Sequence, residues 1–168
     1  FFDNLDSNLH YQFKKIKNLK NSCFVVVSKS GNTLETINNL NIVFSKSLLK
    51  NKLVIITELK DSKLMTIGNK FNAEIIEHKN FIGGRYSVLS EAGMFPAALM
   101  NLNLTNFKNL KKLIDNKYFI YSLLNSVSSI HTLDQQGFSN SVILNYDSRL
   151  NDLCLWYQQL VGESLGKK

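Results

Sequence analysis

The chain has 168 residues, 44% of them hydrophobic, and a formal charge of +7. Its long Val, Ile and Leu runs suffice for a sizeable core and exclude wholesale disorder, while no apolar run approaches the roughly 20 residues that span a bilayer, so no membrane partner is expected. The lysines are spread rather than blocked together and the aromatics do not interleave with them, which argues against a nucleic-acid partner and leaves small anionic ligands as the class the charge suits.

Phe1-Phe2 reads as the end of a strand, turning through Asp3 to Asp6 into a helix over 7–17. The run from Ser22 to Ser28 is continuously apolar between polar bounds, which predicts a central parallel strand. Asn32 is placed to cap the next helix, with Glu35 reaching back to the cap amide, and Leu34, Ile37, Leu40 and Val43 carry an apolar face to about Leu49. Lys52 to Thr57 predicts a second buried strand, Leu64 to Asn69 a short helix, and Ala73 to Glu77 a third strand. This βαβαβ spacing calls for a mostly parallel sheet covered on both faces with right-handed crossovers.

Beyond Gly83-Gly84, Ser90 to Met100 predicts a helix that kinks or restarts at Pro96. Helices follow over 106–114 and 117–135, the latter with Leu123, Leu124, Val127 and Ile130 as a buried stripe. Ser141 to Asn145 predicts a further strand, and from Asp152 onward Leu153, Trp156, Leu160 and Val161 have helical spacing, with Leu165 as a further apolar anchor. Cys23 and Cys154 sit far apart in apolar contexts and are expected as reduced core thiols. With no basic segment and signal-like core at its amino end, the chain is expected in the cytoplasm, and without an initiating methionine it is expected to be a fragment.

Three clusters carry chemistry. Ser28-Lys29-Ser30-Gly31-Asn32-Thr33 leaves a buried strand and enters a helix, where free amide donors, the helix dipole and hydroxyls can hold an anion. It is neither a dinucleotide fingerprint nor a nucleotide P-loop. By residue type alone, the same hydroxyls serve equally well as caps. Gly83-Gly84-Arg85-Tyr86-Ser87 places an always-charged fork of donors after two small residues, an arrangement equally suited to an exposed turn. Gln159, Glu163 and Lys167 recur every four residues on one helical flank, so Gln159 and Glu163 can address one ligand, or Glu163 and Lys167 can form a stabilising surface pair. His78, in a polar setting, is expected at the surface, and His131 at a surface or core edge; neither it nor His10 has a context that suggests catalysis.

The three clusters, in this order, resemble those of the glucose-6-phosphate isomerases, a sugar-isomerase family. The resemblance implies phosphate binding by Ser28, Ser30 and Thr33 with support from Lys29, charge stabilisation by Arg85 beside Gly84, substrate binding by Gln159, and general base and acid work by Glu163. It also implies an α/β fold: the incomplete carboxyl part of a three-layer α/β/α sugar-isomerase domain with a mostly parallel sheet over 1–112, then the start of a second similar domain over 113–168. Interconversion of glucose 6-phosphate and fructose 6-phosphate through a cis-enediol, no metal or redox cofactor, and a homodimeric full-length enzyme follow from the same resemblance. An upstream Gly/Ser-rich phosphate loop and downstream histidine and lysine elements of the family have no match here, so the isolated chain is expected to show no useful turnover. A noncatalytic sugar-phosphate-binding regulator is the alternative; it would keep the Ser28 to Thr33 grip without needing Glu163.

Overall fold

The computed structural model describes residues 1–2, 4–5, 7–16, 19, 21–44 and 52–166, and for Leu9 and His10 it describes the backbone alone. The chain forms two compact units, Phe1–Leu99 and Met100–Lys168.

The first unit contains a parallel sheet of β1 (Cys23–Val27), β2 (Lys52–Thr57) and β3 (Glu74–Glu77) in that spatial order. Val25 pairs with Val54, and Ile55 with Ile75. The helices of this unit are α1 (Ser7–Lys15), α2 (Leu34–Phe44), α3 (Lys63–Lys70) and α4 (Glu91–Leu99). Successive strand residues point to opposite faces, and the core follows that alternation. Leu53 and Ile55 pack with Leu40 of α2 and Leu64 of α3, joined by Phe24, Val26 and Ile75 from the neighbouring strands. Two crossovers of one hand between successive strands bring both helices to the same face. Val54 and Ile56, on the other face, are 6% and 0% exposed, so that side is covered as well. The result is the expected three-layer α/β/α arrangement with a small parallel sheet. Fully burying side chains such as Ile55, Ile56 or Leu64 contributes roughly 1.5–3 kcal/mol each, and Ile55→Ala would cost about 2–5 kcal/mol.

Several details differ from expectation. The strand predicted to be central, β1, lies at the edge of the described sheet and is half-exposed, while β2 is the middle strand. An apolar run reports two covered faces, which an edge strand between helical layers shares with a central one. Cys23, the first residue of β1, is exposed and Cys154 is half-buried, so neither is a core thiol. The helix after β1 begins at Leu34; Asn32 does not cap it, because its side-chain oxygen accepts from the Lys63 backbone N–H at 3.0 Å. The predicted extension to Leu49 lies outside the described residues beyond Phe44. Phe1 and Phe2 are not in a strand. α4 runs through Pro96 as one element, which excludes the restart but not the kink of the two predicted alternatives.

In the second unit, α5 (Leu104–Lys108) and α6 (Lys111–Ile114) precede α7 (Lys117–Gln135) and α8 (Asn151–Leu165). Asn116 caps α7 by accepting from the Tyr118 and Phe119 amides, and Gly137, at φ +94°, provides its left-handed exit. The stripe Leu123, Leu124, Val127 and Ile130 is 48–57% exposed, not buried. Residues 141–145 have no regular secondary structure and no ladder partner among the described residues, so they form no strand. Both departures have one cause: periodicity fixes which side chains share a face, whereas burial and strand identity require a partner element. Ile130, Val142, Ile143, Leu153, Trp156 and Leu160 line an apolar groove of about 560 Å³. Trp156 and Leu160 are half-buried there, while Leu153 and Leu165 are exposed. Among the described residues no helix is long and apolar enough to cross a membrane.

Candidate functional site

Parallel strands bring their carboxyl ends to one edge of a sheet, where the loops that leave them meet. Here that edge carries Ser28 after β1, Thr57 and Glu58 at the end of β2, and His78 after β3. Backbone bonds continue past the strands: Ser28 N–H donates to Ile56 O at 3.1 Å, Glu58 N–H to Lys29 O at 3.1 Å, and His78 N–H to Thr57 O at 2.8 Å.

The loop from Ser28 to Thr33 is fixed from within and below. Ser28 and Thr33 share a hydroxyl–hydroxyl bond of 2.7 Å, and Asn32 N–H donates to Ser30 Oγ at 3.2 Å. Gly31 is buried at φ +69°. A Cβ there would meet Ser62 Cβ at 2.7 Å and Thr57 Oγ1 at 3.0 Å, with Ser62 Oγ nearer still. Only glycine meets both the conformation and the space. Gly31 O also accepts from Leu64 N–H at 3.0 Å, seating the loop against the start of α3. Thr33 immediately precedes α2, whose first-turn amides lack intrahelical acceptors, so the hydroxyls of Ser28, Ser30 and Thr33 stand beside a helix amino end suited to an anion.

Lys29 does more than add charge. Its Nζ donates to Asn80 O at 2.9 Å and lies 3.5 Å from Glu58 Oε1. Glu58 is 8% exposed and also pairs with Lys60. The Lys60 hydrogen bond, followed by the charges of Lys60 and Lys29, holds the Glu58 carboxyl below its ordinary range and outweighs the opposing effect of burial.

Asn80 leads into the second predicted cluster. Gly84 begins a 3₁₀ helix, Gly84–Leu89, secured by Tyr86 N–H donating to Gly83 O at 2.9 Å and Ser87 Oγ donating to Gly84 O at 2.6 Å. Arg85 lies with its guanidinium carbon 5.3 Å from the Tyr86 ring centroid, a packing that limits its swing. The space where a Gly84 Cβ would lie is open to 4 Å. The first unit therefore brings the Ser28–Thr33 loop and the Gly84–Arg85 turn into one bonded edge through Lys29.

The third cluster lies on α8 in the second unit. Gln159 Nε2 donates to Glu163 Oε1 at 3.0 Å, so the two side chains are neighbours on one flank of the helix. Both are exposed, and Lys167 lies outside the described residues. His131 is exposed on α7.

Two participants at the strand edge escaped the sequence reading. Glu58 is the buried counter-ion of Lys29, and His78, expected at the surface, is 2% exposed. Their shared signal was their place just after the apolar runs of β2 and β3, where a parallel sheet gathers polar groups. Among the described residues no three His, Cys, Asp or Glu side chains gather as a metal-ligand set.

An α/β/α unit with a hydroxyl-rich loop and a braced arginine turn at its carboxyl edge defines a sugar-isomerase type of domain. The phosphoglucose isomerase family model matches residues 1–168, and the chain belongs to that family. It is 34% identical to a glucose-6-phosphate isomerase of Methanocaldococcus jannaschii, over 99% of this chain and 43% of the relative. It is 35% identical to one of Prochlorococcus marinus, over 89% of this chain and 31% of the relative. The chain thus spans less than half the length of these relatives. A crystal structure of a hypothetical protein from Thermus thermophilus superposes with a TM-score of 0.77 at 22% identity, covering 99% of this chain and 42% of that one, which supports the fold.

Proposed function

We propose that the full-length protein carrying this chain interconverts glucose 6-phosphate and fructose 6-phosphate, working in the cytoplasm as a homodimer. Residues 1–112 belong in this reading to the carboxyl part of a first sugar-isomerase domain, and 113–168 to the start of a second. The observation that carries it is the loop–turn edge: a loop suited to an anion at the end of β1, tied by Lys29 to the turn that bears Arg85. Family membership along the whole chain gives that edge its substrate class.

The chemistry is an internal proton transfer. Ser28, Ser30 and Thr33 hold the phosphate, so binding energy far from the reacting carbons restricts the position of the sugar. Glu163, oriented by the Gln159 amide, takes the C2 proton in the aldose direction and returns it to C1 through a cis-enediol. Its carboxylate is regenerated in the second step. Arg85 stabilises the oxygen that gains negative charge, a contribution that reaches about 2.7–4 kcal/mol for a preorganised donor.

A coupled assay of glucose 6-phosphate isomerisation by the full-length protein and its Glu163→Gln variant tests this. Removal of a general base lowers kcat by about 10²- to 10⁴-fold. The variant is expected to fold normally and fall within that range. Near-normal turnover in E163Q would reject the assignment, and a folded but inactive parent that still binds glucose 6-phosphate would point to a regulatory binder.

A further inference from the structure

The family reading leaves His78 without a task, yet it is one of the least exposed polar side chains described, at 2%. Its backbone is anchored to the end of β2 through Thr57 O. Its ring spans two elements: Nδ1 pairs with Glu91 Oε1, and Nε2 lies 3.3 Å from Ile82 O. A backbone carbonyl can only accept, so Nε2 supplies the proton in the second contact. Glu91 is the first residue of α4, where the helix dipole favours a carboxylate. The ring is thereby held between a helix start and the peptide that enters Gly83-Gly84-Arg85.

The 3₁₀ helix that bears Arg85 has its own hydrogen bonds, but its entry passes through two glycines, which add little stiffness. That entry is held at Asn80 O by Lys29 and at Ile82 O by His78. We infer that His78, oriented by Glu91, is a positioning residue that sets the entry of the Gly83–Arg85 turn and so the placement of the Arg85 guanidinium. The kinetic side of this inference rests on the isomerase reading; its structural side does not.

The test compares His78→Gln, His78→Asn and His78→Phe in the full-length protein by steady-state kinetics and by amide hydrogen exchange over residues 80–89. A glutamine amide reaches about as far as imidazole Nε2 and can still donate to Ile82 O, whereas asparagine reaches only as far as Nδ1. Misplacement of about 1 Å costs on the order of 10²-fold. H78N and H78F are therefore expected to lose roughly 10- to 100-fold in kcat, with KM changed less than about twofold, and to exchange faster across the turn. H78Q is expected to restore both properties. Equal behaviour of H78Q and H78N, or unchanged exchange in H78F, would overturn the inference. If the wild-type protein does not isomerise glucose 6-phosphate while exchange still separates H78Q from H78N, the isomerase reading fails and the role of His78 stands.

Discussion

Lys29 Nζ donates to the Asn80 carbonyl at 2.9 Å, a bond across 51 positions of sequence that joins the mouth of β1 to the approach of Arg85. The lysine beside the hydroxyl loop is thus a strut between two segments as well as a source of positive charge. Lys29→Met keeps the aliphatic stem and removes the strut. In the full-length protein we expect a stability loss of about 1 kcal/mol in denaturant titrations. kcat/KM for glucose 6-phosphate is expected to fall roughly 10-fold or more, because the anion loop and the arginine turn lose their common register. Unchanged kcat/KM would show that the strut is dispensable.

Gly31→Ala meets two independent penalties, its left-handed φ of +69° and the crowding by Ser62. The backbone penalty is about 1–2 kcal/mol, and the steric one adds to it. Equilibrium unfolding should show a loss of more than about 2 kcal/mol. Ser62→Gly removes the nearest obstacle together with the α3 cap, so the double variant should lose less than the sum of the two single losses. Strict additivity would mean that the clash contributes nothing.

Much of the secondary structure was legible because its signals are local. Lys52 to Thr57 is continuously apolar and forms a strand with those bounds, and Lys117 to Gln135 forms a helix with the predicted bounds. The failures concern partners. β1 reads as central because its residues are continuously apolar, yet its position depends on which strands flank it. Residues 141–145 carry a strand pattern, but the ladder that would make them one is not found among the described residues of the second unit. At the site, Ser28, Arg85 and Glu163 stood out through motif resemblance. Glu58 and His78 did not, because their bonds to Lys29 and Glu91 span 29 and 13 positions, separations that no local periodicity encodes.

Gly84 separates a folding role from a binding role. A Cβ there meets nothing within 4 Å, and its φ is not in the left-handed region, so Gly84→Ala should leave stability within about 0.5 kcal/mol. If the substrate approaches this backbone, the added methyl occupies its space, and kcat/KM should fall roughly 10- to 100-fold. Calorimetric melting and steady-state kinetics on one preparation decide it. Parental kinetics with parental stability would remove Gly84 from the substrate surface.

Glu58 makes the loop edge sensitive to acid. Its folded-state pKa is lowered from the ordinary 4.5, chiefly by the hydrogen bond from Lys60 and then by the charges of Lys60 and Lys29. A depressed carboxylate binds its proton more readily in the unfolded chain, so its contribution is present above the unfolded pKa and is lost as pH falls through the folded one. The window therefore opens at about 4.5 and extends downward. Glu58→Gln cannot lose a contribution that it never had. Urea titrations at steps from pH 7 to pH 3 should show the parent's advantage over E58Q shrinking as the pH falls below about 4.5, with the gap constant above pH 6. A gap independent of pH across the whole range would show that the Lys29–Glu58–Lys60 cluster does not favour the ionised carboxylate in the folded state.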